Sequence, residues 1–170
     1  DQVFISSLFD GLLELNDTIP KMLHDDSNSS LLPISSTSDQ LRIGASSFDN
    51  SGVLWVTNVM SNDHLHAYNI SSNNWKSYDL SSDVDNLTAG DRGTNELVVD
   101  DNGTVWLANN REGVIGVKTV GNFEIVNISG EDTNMPSDIV KSIALDLNNN
   151  LWIGTKQGLR VLYNTQGAFD

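Results

Sequence analysis

The sequence has no cysteine among its 170 residues. Disulfide bonds, thiolate metal sites and cysteine nucleophiles are therefore excluded. Basic side chains are scarce as well, with 9 lysines and arginines against 23 aspartates and glutamates and a formal charge of −14. This imbalance argues against nucleic acid, whose phosphates require clustered positive charge, and against anchoring to an anionic membrane surface.

Long apolar runs are also missing. No stretch approaches the roughly 20 residues that a transmembrane helix needs, and no signal segment of basic and then apolar residues opens the chain. The opening residues Asp1 to Val3 are typical of a start inside a longer protein. A sustained 3.6-residue apolar period is absent too, so the sequence predicts few helices.

A repeat is the dominant feature of the sequence. Three segments, 49–55, 100–106 and 146–152, each place a tryptophan six residues after an aspartate. The tryptophans are 51 and 46 residues apart, and the third position after each aspartate holds Gly or Asn. The repeat residues are Asp49, Gly52 and Trp55, then Asp100, Gly103 and Trp106, then Asp146, Asn149 and Trp152.

The chemistry of this repeat is that of a tight turn leading into a β-strand. An aspartate that begins a turn accepts hydrogen bonds from backbone N–H groups, and Gly or Asn adopts the positive φ that hairpins need. The tryptophan then offers a large apolar surface to the neighbouring unit. Short antiparallel strands that repeat about every 40–50 residues are typical of propeller blades. The sequence therefore predicts an all-β fold, a β-propeller of four-stranded antiparallel blades.

The blades can be placed along the chain. Residues 1–40 are predicted to hold the end of a blade and a loop rich in Ser and Asp, and residues 41–90 and 91–138 a blade each. Residues 139–170 are predicted to start a further blade. About three and a half blades make an incomplete ring. We expect other copies of the chain, or the rest of a parent chain, to complete it.

The third unit carries a family resemblance. Pro136 to Asp146, Leu151 to Thr155 and Gly158 to Leu162 resemble the two-component-regulator propeller repeat of Bacteroidetes. Asn149 stands where that repeat usually has glycine, and residues 62–65 replace the glycine that opens the third strand of the first unit. The resemblance implies a non-catalytic module outside the cytoplasm, in the periplasm or on the surface of a Gram-negative bacterium.

Two kinds of protein carry such blades. PorZ-like surface propellers of the type IX secretion system are favoured by Leu54 to Asn58, Trp75 to Leu80 and Arg160 to Asn164, which look similar to their blades. This resemblance implies an attachment component that binds a lipopolysaccharide-like glycan or a protein partner. The alternative is the ligand-sensing periplasmic propeller of a hybrid two-component histidine kinase. The resemblance marks no individual ligand-binding residue.

A propeller enzyme acting on glycans is a further alternative. Asp101 to Trp106 approximates the sialidase Asp-box, although Val99 stands where that motif has Ser or Thr. A sialidase site requires clustered arginines for the substrate carboxylate, and the spacing of Arg42, Arg92, Arg111 and Arg160 does not gather them. No Gly-x-Ser-x-Gly nucleophile elbow is present. We therefore predict a protein that is not an enzyme and needs no cofactor.

Four side chains are candidate contacts with a ligand or partner: Trp75, Tyr78, His64 and His66. Trp75 and Tyr78 lie on a predicted outer strand, where an aromatic ring can stack on a sugar or a protein. Packing between adjacent blades is the alternative that we favour for both. His64 and His66 alternate on a predicted strand and could bind a metal, but a pair of surface histidines is the simpler interpretation.

Two loop features also allow more than one interpretation. The carboxylates of Asp49, Asp100, Asp101 and Asp146 could bind calcium, although capping of the turns explains them without a metal. The stretch 25–40 is long for a blade turn and rich in Ser and Asp. It is predicted to be either a contact site on one rim or disordered.

Overall fold

The computed structural model describes residues 1–34, 38–61, 63–84, 87, 93–94, 96–130 and 133–170. Its strands form four antiparallel sheets, which we number I to IV in chain order. Sheet I contains β1 (Gln2–Ser6), β2 (Leu12–Asn16) and β3 (Ile19–His24), and sheet II contains β4 (Ile43–Phe48), β5 (Val53–Asn58), β6 (Leu65–Asn69) and β7 (Asn74–Tyr78). Sheet III contains β8 (Glu96–Val99), β9 (Thr104–Ala108), β10 (Val114–Lys118) and β11 (Glu124–Ile128), and sheet IV contains β12 (Val140–Leu145), β13 (Leu151–Thr155) and β14 (Leu159–Leu162).

The predicted all-β fold of antiparallel blades is confirmed. In sheets II and III, four consecutive strands pair with their neighbours in simple chain order, and sheets I and IV contain three strands each. A 3₁₀ turn, Gln166–Phe169, follows sheet IV. The predicted boundary at residue 90, Arg92 and residues 35–37 of the Ser-rich stretch lie outside the described residues. No described helix is long and apolar enough to cross a membrane.

The repeat aspartate organises each turn as the sequence predicts. Asp100 Oδ1 accepts the backbone N–H groups of Asn102 at 2.9 Å and Thr104 at 3.0 Å. Its Oδ2 accepts the indole N–H of Trp106 at 3.1 Å, and Gly103 adopts a φ of 81°. The same three kinds of hydrogen bond recur at Asp49 and Asp146. One carboxylate thus fixes both the turn and the orientation of the tryptophan on the next strand.

The hydrophobic core lies between the sheets, because successive side chains of a strand point to opposite faces. We call the face toward the next sheet in the chain the forward face and the other the rear face. In β5, Leu54 and Val56 on the rear face pack against sheet I, and Trp55 on the forward face packs against sheet III. In β9, Trp106 on the forward face packs against sheet IV.

A small residue on the neighbouring strand makes room for each buried tryptophan. Ala67 pairs with Trp55, and Gly116 pairs with Trp106. A Cβ atom on Gly116 would lie 2.6 Å from the Trp106 ring, which is closer than van der Waals contact allows. The equivalent positions of sheet I hold Phe4 and Glu14, which pair across β1 and β2.

The turns of successive sheets are also linked along one rim of the molecule, which we call the turn rim. Asn50 Nδ2 donates to Asp101 Oδ1 at 3.2 Å, and the backbone N–H of Asp101 donates to Asn149 Oδ1 at 3.0 Å. These bonds join the turns of sheets II, III and IV in order. The turn rim is therefore a continuous polar strip and not a set of separate loops.

We expect Asp100→Ala to destabilise the fold by about 3 kcal/mol, because it leaves the buried indole N–H of Trp106 and two backbone donors without an acceptor. The matched change Asp146→Ala removes the same bonds beside a more exposed tryptophan, and we expect a clearly smaller loss. Urea unfolding followed by tryptophan fluorescence measures both. Equal losses would contradict a role for the buried indole bond.

Candidate functional site

The carboxylates of the turns are occupied by hydrogen bonds from the protein itself. Burial raises the pKa of Asp49, but hydrogen bonds from Ser51 and Trp55 outweigh it and leave that pKa below its ordinary value. Hydrogen bonds from Trp152 and Asn150 lower the pKa of Asp146. Across the described ranges, no group of three or more His, Asp or Glu side chains is arranged to hold a metal ion. In these turns the carboxylates of Asp49, Asp100 and Asp146 cap backbone N–H groups.

His64 and His66 are both buried, at 2% and 0% exposure, so the expectation of a surface pair is wrong. His66 Nε2 donates to the carbonyl oxygen of Asp63 at 3.0 Å, and Ser30 Oγ donates to His66 Nδ1 at 2.8 Å. The tautomer follows from the carbonyl, which can only accept. Burial lowers the pKa of His66 from 6.5 to about 4. His66 is therefore neutral and joins Ser30 to Asp63 by hydrogen bonds inside the fold.

The physical reason for this burial is the segment that follows sheet I. Leu31 is 1% exposed and belongs to the core between sheets I and II. The N–H of Leu32 donates to Asn58 Oδ1 at 2.6 Å, and Ser30 reaches His66. Residues 30–32 of the Ser- and Asp-rich stretch thus contact sheet II and cover the histidine.

Tyr78 and Trp75 lie on β7, the outer strand of sheet II, and each ring contacts an adjacent sheet. The Tyr78 ring stacks on Phe123, the residue before β11 of sheet III, with centroids 5.8 Å apart. The Lys76 ammonium lies 4.5 Å from the centroid of the Tyr78 ring. The Trp75 ring stacks on Tyr68 at 4.6 Å and lies 5.4 Å from the ring of His24 in sheet I. Both side chains therefore occupy packing positions between blades, and both are half-buried.

The structure brings together three charged or polar residues that the sequence did not single out: Glu14, Lys21 and His24. Glu14 is 1% exposed, and its Oε1 accepts from Lys21 Nζ at 2.6 Å and from the amide of Gln2. Its Oε2 lies 3.1 Å from His24 Nε2. A carboxylate buried at an interface between two sheets is thus held by three separate donors.

These contacts keep Glu14 ionised. Burial raises the pKa of Glu14, but hydrogen bonds from Lys21, Gln2 and His24 outweigh it and leave that pKa below its ordinary value. The hydrogen bond to Glu14 raises the pKa of Lys21 in turn. Lys21 remains about half exposed, so the ion pair joins the interior to the surface. The ammonium of Lys21 is therefore in contact with solvent, whereas the carboxylate of Glu14 lies beneath it.

An aromatic cluster surrounds the buried end of this group. The ring of His24 lies 4.9 Å from Tyr68 and 6.3 Å from Phe4, besides its contact with Trp75. Because Nε2 of His24 faces an ionised carboxylate, which can only accept, that nitrogen carries a proton. Within the described chain, neither His24 Nδ1 nor Trp75 Nε1 has a hydrogen-bond partner. Two buried polar nitrogens thus remain unpaired beside the Glu14 group.

A cavity of about 320 Å³ opens over Glu14 between sheets I and II. We call it the rim pocket; its lining residues are Gln2, Glu14, Asn16, Lys21 and Ile70. They offer two amides, a carboxylate, an ammonium and one aliphatic surface. A second cleft of about 200 Å³ lies between the turns at Asp49 and Asp100. Its carboxylates, those of Asp49, Asp100 and Asp101, already accept hydrogen bonds from the protein. The rim pocket is the better candidate for a ligand site.

One signal in the sequence could have indicated this site. Alignment of the units places Glu14 opposite Phe4, where the other units have Ala67, Gly116 and Val161 opposite a tryptophan. A charged residue at a position that is uncharged in the other units marks a departure from the repeat. The positions of Lys21 and His24 around Glu14 depend on a bulge between β2 and β3, and no motif in the sequence predicts that bulge.

No family model matches the chain, and no curated protein matches it. Solved structures do match. Two structures of the extracellular domain of BT4673 from B. thetaiotaomicron, described once as a putative one-component and once as a putative hybrid two-component system, align with TM-scores of 0.70 and 0.69 at 16% identity. The match covers 95% of this chain and 20% of that one, so this chain spans about a fifth of its length.

Two further matches come from proteins of other descriptions. PorZ, a surface component of the type IX secretion system of Porphyromonas gingivalis, has a TM-score of 0.47 at 20% identity, over 95% of this chain and 31% of that one. Virginiamycin B lyase from Staphylococcus aureus has a TM-score of 0.52 at 15% identity, over 77% and 44%. Both kinds of protein that the sequence repeat resembles are thus among the matches. At these identities, the likeness to BT4673 and to the lyase establishes a shared fold.

We expect His66 to make the stability of the fold depend on pH. Its pKa is about 4 in the folded chain and about 6.5 when unfolded, so between these values protons bind preferentially to the unfolded state. Stability is then complete above about pH 6.5 and falls by up to about 3 kcal/mol as the pH drops to about 4.

The variant His66→Gln lacks this titration, so the difference in unfolding free energy between it and the parent should shrink or change sign as the pH falls. Urea unfolding at a series of pH values measures that difference. The carboxylates common to both proteins cancel in the comparison. A difference that stays constant across this range would contradict the assignment.

Proposed function

We propose that the chain is a non-enzymatic recognition module of an extracytoplasmic β-propeller protein, and that its rim pocket binds a hydroxyl-rich ligand, a saccharide unit of a glycan. The observation that carries this proposal is the burial of ionised Glu14 at the floor of an open pocket. A buried charge stabilises a fold poorly even when it is paired. The equivalent positions in sheets II and III hold Ala67 and Gly116, which serve packing alone.

The chemistry of the lining suits hydroxyl groups. Each hydroxyl both donates and accepts, and the pocket offers acceptors on Glu14, donors on Lys21, and both kinds of atom on Gln2 and Asn16. Ile70 adds an apolar surface for the C–H face of a sugar ring. The volume is at the lower end of the range for ligand pockets, which suits a single ring-sized unit.

The charge of the pocket is balanced, which distinguishes it from sites for strong anions. The ammonium of Lys21 is already paired with Glu14 at 2.6 Å. The whole chain carries a formal charge of −14, which repels polyanions at long range. A glycan bound through its hydroxyls therefore agrees with the electrostatics better than one bound through phosphate groups.

The sequence allows two kinds of parent protein for such a module. The strands around Trp75 support a PorZ-like component of type IX secretion, which would present the pocket to a glycan or a partner protein at the cell surface. The likeness to BT4673, described as the extracellular domain of a hybrid two-component system, supports the second setting, a sensor domain. The domain that follows the propeller in the full-length gene distinguishes them: a secretion signal domain for the first, a membrane helix and kinase for the second.

An enzymatic role is the competing class of function. One matching structure has the name of a lyase, and propellers support many chemistries. Saccharide turnover by the purified protein, abolished by Glu14→Gln with the fold intact, would replace binding with catalysis as the function of the pocket.

We expect a glycan array to show saccharide binding, and Lys21→Met to weaken the bound saccharide by at least about tenfold in calorimetric titration, since it removes a charged donor from the lining. The matched control is Lys156→Met, an exposed lysine of sheet IV that should leave affinity unchanged. Tyr78→Ala tests the outer strand. Loss of binding with Tyr78→Ala but not with Lys21→Met would move the site away from the rim pocket, and binding to no saccharide would reject the proposal.

A further inference from the structure

We infer that the protein has a second binding site, which takes a carboxylate of a partner protein together with an apolar side chain beside that carboxylate. We call it the arginine site, and its residues are Phe9, Gln40, Arg42 and Met60. The arginine site is separate from the rim pocket. The rim pocket lies where β1 begins and β2 ends, whereas the arginine site lies beside the loop that joins the end of β1 to the start of β2.

The backbone of Arg42 makes a contact that recurs along the chain. Its carbonyl oxygen accepts the N–H of Val59 at 2.8 Å. The same bond recurs in the next two units, from Asn110 to Gly93 at 3.0 Å and from Lys156 to Ile139 at 2.8 Å. The equivalent positions thus hold Arg, Gly and Ile. The repeat therefore does not require a charged side chain at this position.

The guanidinium of Arg42 contacts three neutral side chains. Its carbon lies 5.9 Å from the centroid of the Phe9 ring, and its two terminal nitrogens donate to Met60 Sδ at 3.3 Å and to Gln40 Oε1 at 3.4 Å. Arg42 Nε is buried without a partner in the described chain. No described carboxylate lies within ion-pair distance of this guanidinium. A permanent positive charge thus has no counter-charge there, in a chain with 23 acidic residues.

Met60 also departs from what its turn favours. Among the described residues other than glycine, five have a positive φ, and four of these are Asn or Asp. The fifth is Met60, with a φ of 65°. This conformation is unfavourable for side chains other than those of Asn and Asp. The turn therefore gains nothing from a methionine, whereas the flexible thioether side chain contacts the guanidinium.

An unpaired guanidinium is suited to a carboxylate. Its planar fork of N–H donors matches the two oxygens of a carboxylate, and the thioether that it now contacts is a weak acceptor that a carboxylate can displace. One guanidinium supplies one positive charge, and the formal charge of −14 on the chain repels polyanions at long range. A single carboxylate therefore fits this site better than a phosphate or a chain of charged sugars.

The neighbours of the guanidinium indicate what carries the carboxylate. An acidic sugar has hydroxyl groups around its carboxylate, and beside Phe9 and Met60 these would lose water without gaining a partner. A peptide instead can place an apolar side chain against Phe9, which is 54% exposed. The backbone N–H of Leu41 donates to the carbonyl oxygen of Phe9 at 2.9 Å, which fixes Phe9 at the junction of sheets I and II. The occupant is thus a segment of a partner protein.

NMR of the protein labelled with ¹³C in its methionine methyl groups tests the inference. The chain has three methionines, Met22, Met60 and Met135, so each signal can be followed separately. The probe is N-acetyl-leucine, whose carboxylate lies beside an isobutyl side chain. We expect it to shift the Met60 signal saturably. N-acetyl-leucinamide lacks the carboxylate and should bind at least about tenfold more weakly.

Variants of the parent chain locate the carboxylate. Arg42→Gln should weaken N-acetyl-leucine by at least about tenfold, and Arg42→Lys nearly as much, because an ammonium lacks the planar fork. Arg111→Gln is the matched control, since it removes the same charge from the exposed loop between β9 and β10 and should leave the affinity unchanged. Circular dichroism reports whether each variant retains the fold, and the comparison of the two probes on the parent needs no variant.

Four results would overturn the inference. Equal binding of the amide would show that the carboxylate is not recognised, and equal binding of glucuronate would assign the site to an acidic saccharide. A shift confined to Met22, which pairs with Glu14 across β2 and β3, would place the probe in the rim pocket. A Met60 signal that does not move at any probe concentration would show that no such site exists.

Discussion

The hydrogen bond between a turn aspartate and an indole N–H is the interaction on which the rest of this fold depends. Asp100 caps its turn with one oxygen and orients Trp106 with the other, so local chain reversal and packing between sheets share one carboxylate. The tryptophan orientation then requires a small residue on the adjacent strand, such as Gly116. The stacking of sheets follows from these two local conditions, repeated along the chain.

The sequence is most informative where structure is local. Aspartate, glycine and tryptophan of one unit lie within seven residues, so the turn, the strands and the blade arrangement could be predicted from their spacing. His66 was placed wrongly because its burial depends on Ser30, which lies 36 residues away in the chain. The cluster around Glu14 was missed for a similar reason, since it combines a strand bulge with contacts across two strands and an adjacent sheet.

The repeat also shows how a scaffold accommodates a polar site. Sheets II and III keep the tryptophan and its small neighbour, whereas sheet I replaces them with Phe4 and Glu14. Phenylalanine has no N–H to satisfy and needs no turn aspartate, and the space beside it can hold a carboxylate. Lys21 then supplies the counter-charge from the outer strand. Two altered positions in the repeat thus place a charged group where sheets II and III have a packing contact.

The alternation of side chains between forward and rear faces means that no blade has a core of its own. Leu54 and Trp55 are neighbours in sequence but belong to different cores, each shared with another sheet. Loss of one sheet therefore removes half of two cores, and the chain behaves as a row of mutually dependent units. Opening of one sheet then weakens the packing of the sheets beside it. In such an architecture, a substitution in one sheet is felt in every core that the sheet shares with a neighbour.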